Sequence, residues 1–363
     1  MEKTPNNEIK RHNHYVPEMY LKNWATGNKV NTYNLLVPHE KVPVWKKTSI
    51  EYTASINNLY VRRFKGCELD DFEETFMRHY ENPAKKPFKK VCSNQFLTPD
   101  DWHIMIDFVA AQIVRTPAFY FKHLDIMKRI TPDVMSSIGK RLKNYKAIGS
   151  VMTSRPKKVI DNLLPITINL TGIPADNDHE YVEIGTIVGK STWLYCIENL
   201  LSKTSSVLHK HDWSIITASD GVAWPTSDDP VLCLNYYEDG DYDFGGGWDN
   251  AGSEIIMPIN PKKAIYTQVG VKHPKYMSFD YKESILLKKL IVQHALAYVY
   301  TSDIDRSIPL IRQRTVDLHE YTRLKKEYDD WYEKYQEGEV PYLEPYIMRN
   351  GEKIEQDITI IPQ

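Results

Sequence analysis

From Thr98 to Pro117 the chain reads Thr98-Pro99-Asp100-Asp101-Trp102-His103-Ile104-Met105-Ile106-Asp107-Phe108-Val109-Ala110-Ala111-Gln112-Ile113-Val114-Arg115-Thr116-Pro117. Its opening is a helix start. Thr98 is an N-cap whose hydroxyl accepts a backbone amide, Pro99 suits the first helical position where no N–H is needed, and Asp100 and Asp101 oppose the positive helix end. At about 100° per residue, Trp102, Ile106, Val109 and Ile113 fall on one side and Met105 and Phe108 on the other. A helix over 100–115 that is apolar almost all round belongs in the middle of a core. Gln112 and Arg115 lie on the Met105/Phe108 side, and Thr116-Pro117 stops the helix. An arginine buried without a partner is prohibitive, so Arg115 must meet a carboxylate, a group of carbonyls or a bound anion.

On the N-terminal side, residues 70–81 read as a helix with Phe72, Phe76, His79 and Tyr80 on one face and Glu74, Met77 and Glu81 on another. Residues 12–61 read as short strands and turns, with alternation from Lys29 to Leu36 and punctuation at Pro38 and Pro43. On the C-terminal side, residues 120–210 look mainly helical with one strand-like interruption at 163–172. From Trp213 the period becomes two. Trp213 to Thr217, Val222 to Trp224, Val231 to Leu234, Glu254 to Met257 and Ala264 to Tyr266 are strand candidates separated by Gly, Pro and Asp. Residues 284–300 return to a buried-type helix. Tyr321, Leu324, Tyr328, Trp331 and Tyr335 mark an amphipathic terminal helix whose stripe packs on the body or on a second copy of the chain. The expected fold is α+β: a mainly helical body around the buried helix, an antiparallel sheet and a small N-terminal strand region. Residues 12–315 form one mixed domain, followed by a C-terminal helix and tail over 316–363.

The 363 residues carry 46 Lys+Arg against 48 Asp+Glu, a net charge of −2, which excludes a basic nucleic-acid coat or an acidic tail protein. Hydrophobic content of 42% and aromatic content of 12% suit a globular core rich in rings. The charge is unevenly placed. Residues 122–158 hold ten Lys and Arg with two acids, whereas residues 211–261 hold ten acids and no Lys or Arg. A basic stretch of this kind follows a polyanion or is a solvated face, and the two blocks can also attract each other. The four Cys never form C-x-x-C, which argues against a zinc ribbon or a disulfide scaffold. No run approaches the length of a membrane helix and the N-terminus has no apolar leader, so a reducing cytoplasm is the expected compartment.

Three motifs resemble those of a bacterial family, the domain of unknown function 4238 family. They are Arg11-His12-Asn13-His14-Tyr15-Val16-Pro17 with the following Tyr20-Leu21-Lys22-Asn23-Trp24, Gln112-x-x-Arg115-Thr116-Pro117, and Thr226-Ser227-Asp228-Asp229-Pro230-Val231. Asn13 stands where members often have the first of two His. Relatives occur among single-gene anti-phage systems, so the resemblance implies a defence effector without a mechanism.

The opening motif also resembles the start of a His-Me finger (HNH-type) nuclease. In that scheme His14 is the general base, Asn58 orients it, and Asn13 and His79 face a single divalent ion, Mg or Mn. Phosphodiester cleavage needs such a set because water must lose a proton while a cation offsets charge on the phosphate. His14 can equally be a satisfied core histidine. A second constellation joins Glu74 or Glu81, Gln112, Arg115, Asp228 and Asp229, with carboxylates for a divalent cation and Arg115 with Gln112 for a phosphate. That chemistry also suits a nucleotide or NAD hydrolase. The plain alternative is a buried Arg–Asp network with an Asp-rich turn bonding local amides. Gly245-Gly246-Gly247 lacks the Lys and the strand-before, helix-after setting of a P-loop, His209-Lys210-His211 resembles a metal pair only superficially, and Ser191 has no defensible His/Asp partners. The competing class is a non-catalytic sensor or binding module for nucleic acid or a phage protein.

Overall fold

The computed structural model describes residues 9–64, 67–144, 166–172, 179–238, 240–329, 331, 340–349 and 352–353. The fold is α+β, as expected. Two compact units form from discontinuous pieces: residues 1–119 with 200–332, and residues 120–199 with 333–363.

In the first unit, β1 (His12–His14) pairs antiparallel with β5 (Ser55–Asn57), and the short helix α1 (Glu18–Leu21) follows β1. A four-stranded sheet runs β11 (Thr226–Ser227), β17 (Tyr298–Thr301), β2 (Lys29–Asn34), β4 (Trp45–Ser49). A six-stranded sheet runs β13 (Asp241–Asp243), β12 (Leu232–Glu238), β14 (Glu254–Asn260), β15 (Lys263–Gln268), β10 (Ser214–Thr217), β16 (Tyr276–Ser278), antiparallel except for the last pair. One face of this sheet packs Ile216, Leu232, Ile256 and Tyr266 with Leu287 and Ile291 of α7 (Tyr281–His294), which places much of the acidic stretch around a hydrophobic core. The small pairs are β3 (Leu36–Val37) with β18 (Thr315–Val316) and β6 (Arg62–Phe64) with β7 (Cys67–Leu69).

Helix α2 (Asp71–Phe76) continues through a π-helical segment, Met77–Glu81, into α3 (Asn82–Cys92). Next comes α4 (Pro99–Val114), which has the predicted start. The Asp101 amide donates to Thr98 Oγ1 at 3.2 Å while the Thr98 amide donates to Asp101 Oδ2 at 2.8 Å. Met105, Ile106, Phe108, Val109 and Val114 are buried, as a core helix requires, and Trp102 and Ile113 are half-buried. The helix breaks after Val114 and α5 (Pro117–Asn144) follows, so Pro117 both ends one helix and begins the next. The unit closes with α8 (Ile308–Ile311) and α9 (Leu318–Tyr328). The terminal stripe packs on the unit itself: Tyr328 lies against Tyr15 and Tyr298, and Trp331 is fully buried, while Tyr335 lies outside the described residues.

The second unit contains most of α5, the first half of α6 (Lys190–Leu208), and an antiparallel sheet. Its order is β20 (Glu352–Lys353), β19 (Val340–Arg349), β9 (His179–Val188), β8 (Ile166–Gly172).

Three sequence expectations need correction. The 120–210 span contains two strands, β8 and β9, because β9 finds its second partner more than a hundred residues away in β19. The helix expected over 284–300 ends at His294, where Ala295 turns extended, and Tyr298–Thr301 pairs with β2 instead. The aromatic and β-branched run Tyr-Val-Tyr-Thr favours the strand once a partner edge exists. Val222 to Trp224 is loop rather than strand, with Val222 and Trp224 buried, Ala223 exposed, and the Trp224 amide donating to the Pro261 carbonyl.

Candidate functional site

All three motifs meet on the strand end His14-Tyr15. Arg115, at the C-terminus of α4, is 1% exposed and reaches three partners. Nη1 donates to Glu81 Oε1 at 2.8 Å, Nη2 donates to the His14 carbonyl at 2.5 Å, and Nε donates to the Tyr60 hydroxyl at 3.3 Å. The Tyr60 hydroxyl in turn donates to the Arg115 carbonyl at 2.7 Å, and the guanidinium lies 4.4 Å from the Phe76 ring centroid. The carboxylate and carbonyl partners demanded by burial are therefore present. Burial works against the charge, but Tyr60, Glu81 and Glu73 more than offset it and hold Arg115 protonated.

The π-helical segment explains how Glu81 gets there. A π-turn closes i to i+5, so Glu81 sits one turn above Phe76 and both face Arg115. The same widening turns His79 outward, where it is exposed, correcting the expectation that it points inward. Glu74 is also exposed and ion-pairs with Arg78 on its own helix. Beside Glu81, the other carboxylate of this helix that enters the site is Glu73, which sequence reasoning missed. Its Oε2 accepts from Asn13 Nδ2 at 3.3 Å, and burial pushes its pKa up to about 7 against the opposing pull of Arg115. A helical wheel could have found it, since Glu73 lies nearer than Glu74 to the Phe72/Phe76 stripe.

Asn13 is fully buried. Its amide donates to the Lys10 carbonyl and Glu73, and its Oδ1 accepts from the Tyr60 amide at 3.2 Å, tying β1 to the residues after β5. Asn58 adopts φ 57°, which Asn tolerates, and its Oδ1 accepts from Arg11 Nη1 at 2.9 Å. Gln112 Nε2 donates to the Tyr15 carbonyl at 2.7 Å, while its Oε1 is buried with no partner among the described residues. The His14 side chain is 12% exposed, with Nε2 at 3.2 Å from the Ile50 carbonyl and 3.9 Å from Glu18 Oε1. A carbonyl only accepts, so Nε2 carries the proton and Nδ1 holds the lone pair when the ring is neutral. Burial lowers the His14 pKa, favouring that neutral form.

The third motif approaches from the other side of the same strand. Asp228, 1% exposed, accepts from the Leu296 amide at Oδ1 (2.9 Å) and the Ala297 amide at Oδ2 (2.7 Å). Those amides join α7 to β17, so the carboxylate bridges distant segments rather than the local turn expected. Burial pushes Asp228 up to about 7, opposed by the Ala297 amide, and Tyr15, Tyr298, Tyr300 and Tyr328 gather around it. Asp229 instead faces His294, with Oδ2 3.6 Å from Nε2.

Among the described residues, no three His, Cys, Asp or Glu are placed to hold a metal ion together. The donors expected for Mg or Mn do not form one set: Glu81 binds Arg115, Asp228 binds two amides, Glu74 binds Arg78, and Asn13 binds Glu73.

A family model described as a protein of unknown function, DUF4238, matches residues 12–305. The chain belongs to this family. In this DUF4238 member the three motifs, far apart in sequence, are thus one structural junction. No curated protein and no solved structure matches the chain. No single helix among the described residues is long and apolar enough to cross a membrane; α4 with the first part of α5 reaches that composition only as a bent pair, and α4 is core.

Proposed function

We propose that this chain is a binding module of bacterial anti-phage defence, working in the cytoplasm, whose motif residues build a rigid scaffold for recognising nucleic acid or a phage component. The defence setting follows from the family resemblance. The observation that carries the binding reading is the closed state of the motif junction. Asn13, Gln112, Arg115 and Asp228 are each at most 1% exposed and hold backbone groups of other elements, which is how a fold is fixed rather than how a substrate is met. Incubating the purified chain with nucleic acid should give salt-sensitive association and no product, with or without EDTA. Cleavage abolished by EDTA would sink this reading, as would loss of added NAD or nucleotide with the nucleic acid intact.

One observation favours a second reading, a nuclease of His-Me finger type. Burial keeps His14 in the proton-accepting form, with Nδ1 as the acceptor. His14→Ala should then abolish degradation of nucleic acid while leaving binding in place. Unchanged degradation would remove His14 as the base.

A further inference from the structure

Helix α3 and the loop into α4 carry a surface that the motif junction does not use. Over Asn82–Cys92 the helix has four lysines and no acid. Ala84, Pro87, Phe88 and Val91 are buried, which leaves Lys85, Lys86 and Lys89 exposed along the opposite side, while Lys90 is neutralised by Asp101. The next residue of α4, Trp102, lies 6.2 Å from the Tyr276 ring, and Tyr276 lies 5.1 Å from the Phe96 ring, edge to face. Phe96 is 79% exposed and Tyr276 38%. Lys275 sits 5.0 Å over the Trp102 ring, with Asp212 4.0 Å from its ammonium, and Lys272 is exposed nearby in sequence.

The aromatic group is held in place rather than left loose. The Leu97 amide donates to the Tyr276 hydroxyl at 2.7 Å and the Gln95 amide to the Lys90 carbonyl at 2.8 Å, which fixes the loop that presents Phe96. A phenyl ring that is mostly exposed, with the Tyr276 ring against it among the described residues, is a contact face open to a ligand. Lys275 lies over one ring, and the short loop joins the rings to the lysine-bearing helix α3, which packs on α4, so cations and ring faces share one neighbourhood. Single-stranded nucleic acid suits such a surface, because phosphates meet ammonium groups and unstacked bases meet rings. Two exposed acids limit this surface, Asp100 at the start of α4 and Asp212 beside Lys275. A duplex hides its base faces and would use the lysines alone. Helix α3 is about 16 Å long, enough with the loop for roughly four nucleotides.

On the binding-module reading above, we propose that Phe96, Trp102 and Tyr276, with the exposed lysines of α3 and Lys275, form a binding surface for single-stranded nucleic acid. The test is fluorescence anisotropy of the full chain with labelled 20-mers of dT and of rU, and with a 20-base-pair duplex, between 50 and 300 mM salt. The expected result is that a single strand binds, more tightly than the duplex, with affinity falling as salt rises. Phe96→Ala should weaken single-strand binding about fivefold or more, and Lys86→Glu/Lys89→Glu should weaken it and flatten the salt slope, both with unchanged melting curves. The dT and rU arms decide between DNA and RNA.

No binding at 50 mM salt overturns the proposal. So does binding indifferent to both variants, or binding removed instead by Lys122→Glu/Lys128→Glu in the basic stretch of α5. Single-strand cleavage with affinity still dependent on Phe96 would overturn the binding-module reading and leave the surface standing. Binding without cleavage that ignores Phe96 and the α3 lysines would do the reverse.

Discussion

Arg115 holds a carboxylate, a carbonyl and a phenol from three separate segments, and only a planar fork of donors satisfies all of them. Arg115→Met should cost about 3–5 kcal/mol in urea unfolding, because Glu81 and the His14 carbonyl are left unpaired. Arg115→Lys should recover only part of that, since an ammonium cannot reach the same three acceptors. A loss below about 1 kcal/mol for Arg115→Met would mean that the junction is not closed as described. The need for a partner at this arginine was legible from the apolar run around it. Which carboxylate answers was not. Glu81 reaches it through a helical irregularity with no residue signature, and Glu73 differs from its neighbour Glu74 only by one step around the helix.

At the scale of the element, that irregularity makes an unusual forecast. Removing one residue from a helix normally rotates everything after it by about 100° and misplaces a buried face. Deleting Lys86 from α3 should do this to Pro87, Phe88 and Val91 and be severely destabilising. Deleting His79 should cost little, within roughly 1 kcal/mol, because the π segment already holds one residue too many and its loss restores a regular turn. Phe76 and Glu81 would then be four apart and still on one face. Thermal melts of the two deletions check this, and equal damage would refute it. Elements with strong local signals, such as α4 with its capping box and β10, β12, β14 and β15 with their alternation, were readable from sequence. β17 and β9 were not, because their strand character depends on partner edges supplied by β2 and β19 far along the chain.

For the whole molecule, global stability should depend on pH through two desolvated carboxyls, the buried Asp228 and the half-buried Glu73. Glu73 and Asp228 both have folded pKa values near 7, well above the ordinary range near 4. Between those limits the folded state binds more protons than the unfolded one, so stability falls as pH rises. His14 acts oppositely, chiefly below about 6.5, the pH at which its unfolded form is half protonated. From pH 6.5 to 8 the two carboxyls should therefore remove about 1.5 kcal/mol between them, and Glu73→Gln should halve that loss. Urea midpoints across this range provide the measurement, and a midpoint that rises with pH would contradict the assignment. The α+β class followed from the change of period near Trp213, whereas the division into two discontinuous units depends on pairings that no local pattern encodes.

The pairing of β9 with β19 also has a consequence in time. A ribosome makes His179–Val188 well before Val340–Arg349, so for the whole interval β9 presents a bare ten-residue edge on the β19 side. β2 likewise waits for β17 until about residue 301 has emerged. Neither unit can be finished in the order in which it is written. A nascent chain stalled between residues 200 and 330 would therefore hold both unfinished, a natural client for chaperones that cover open strands.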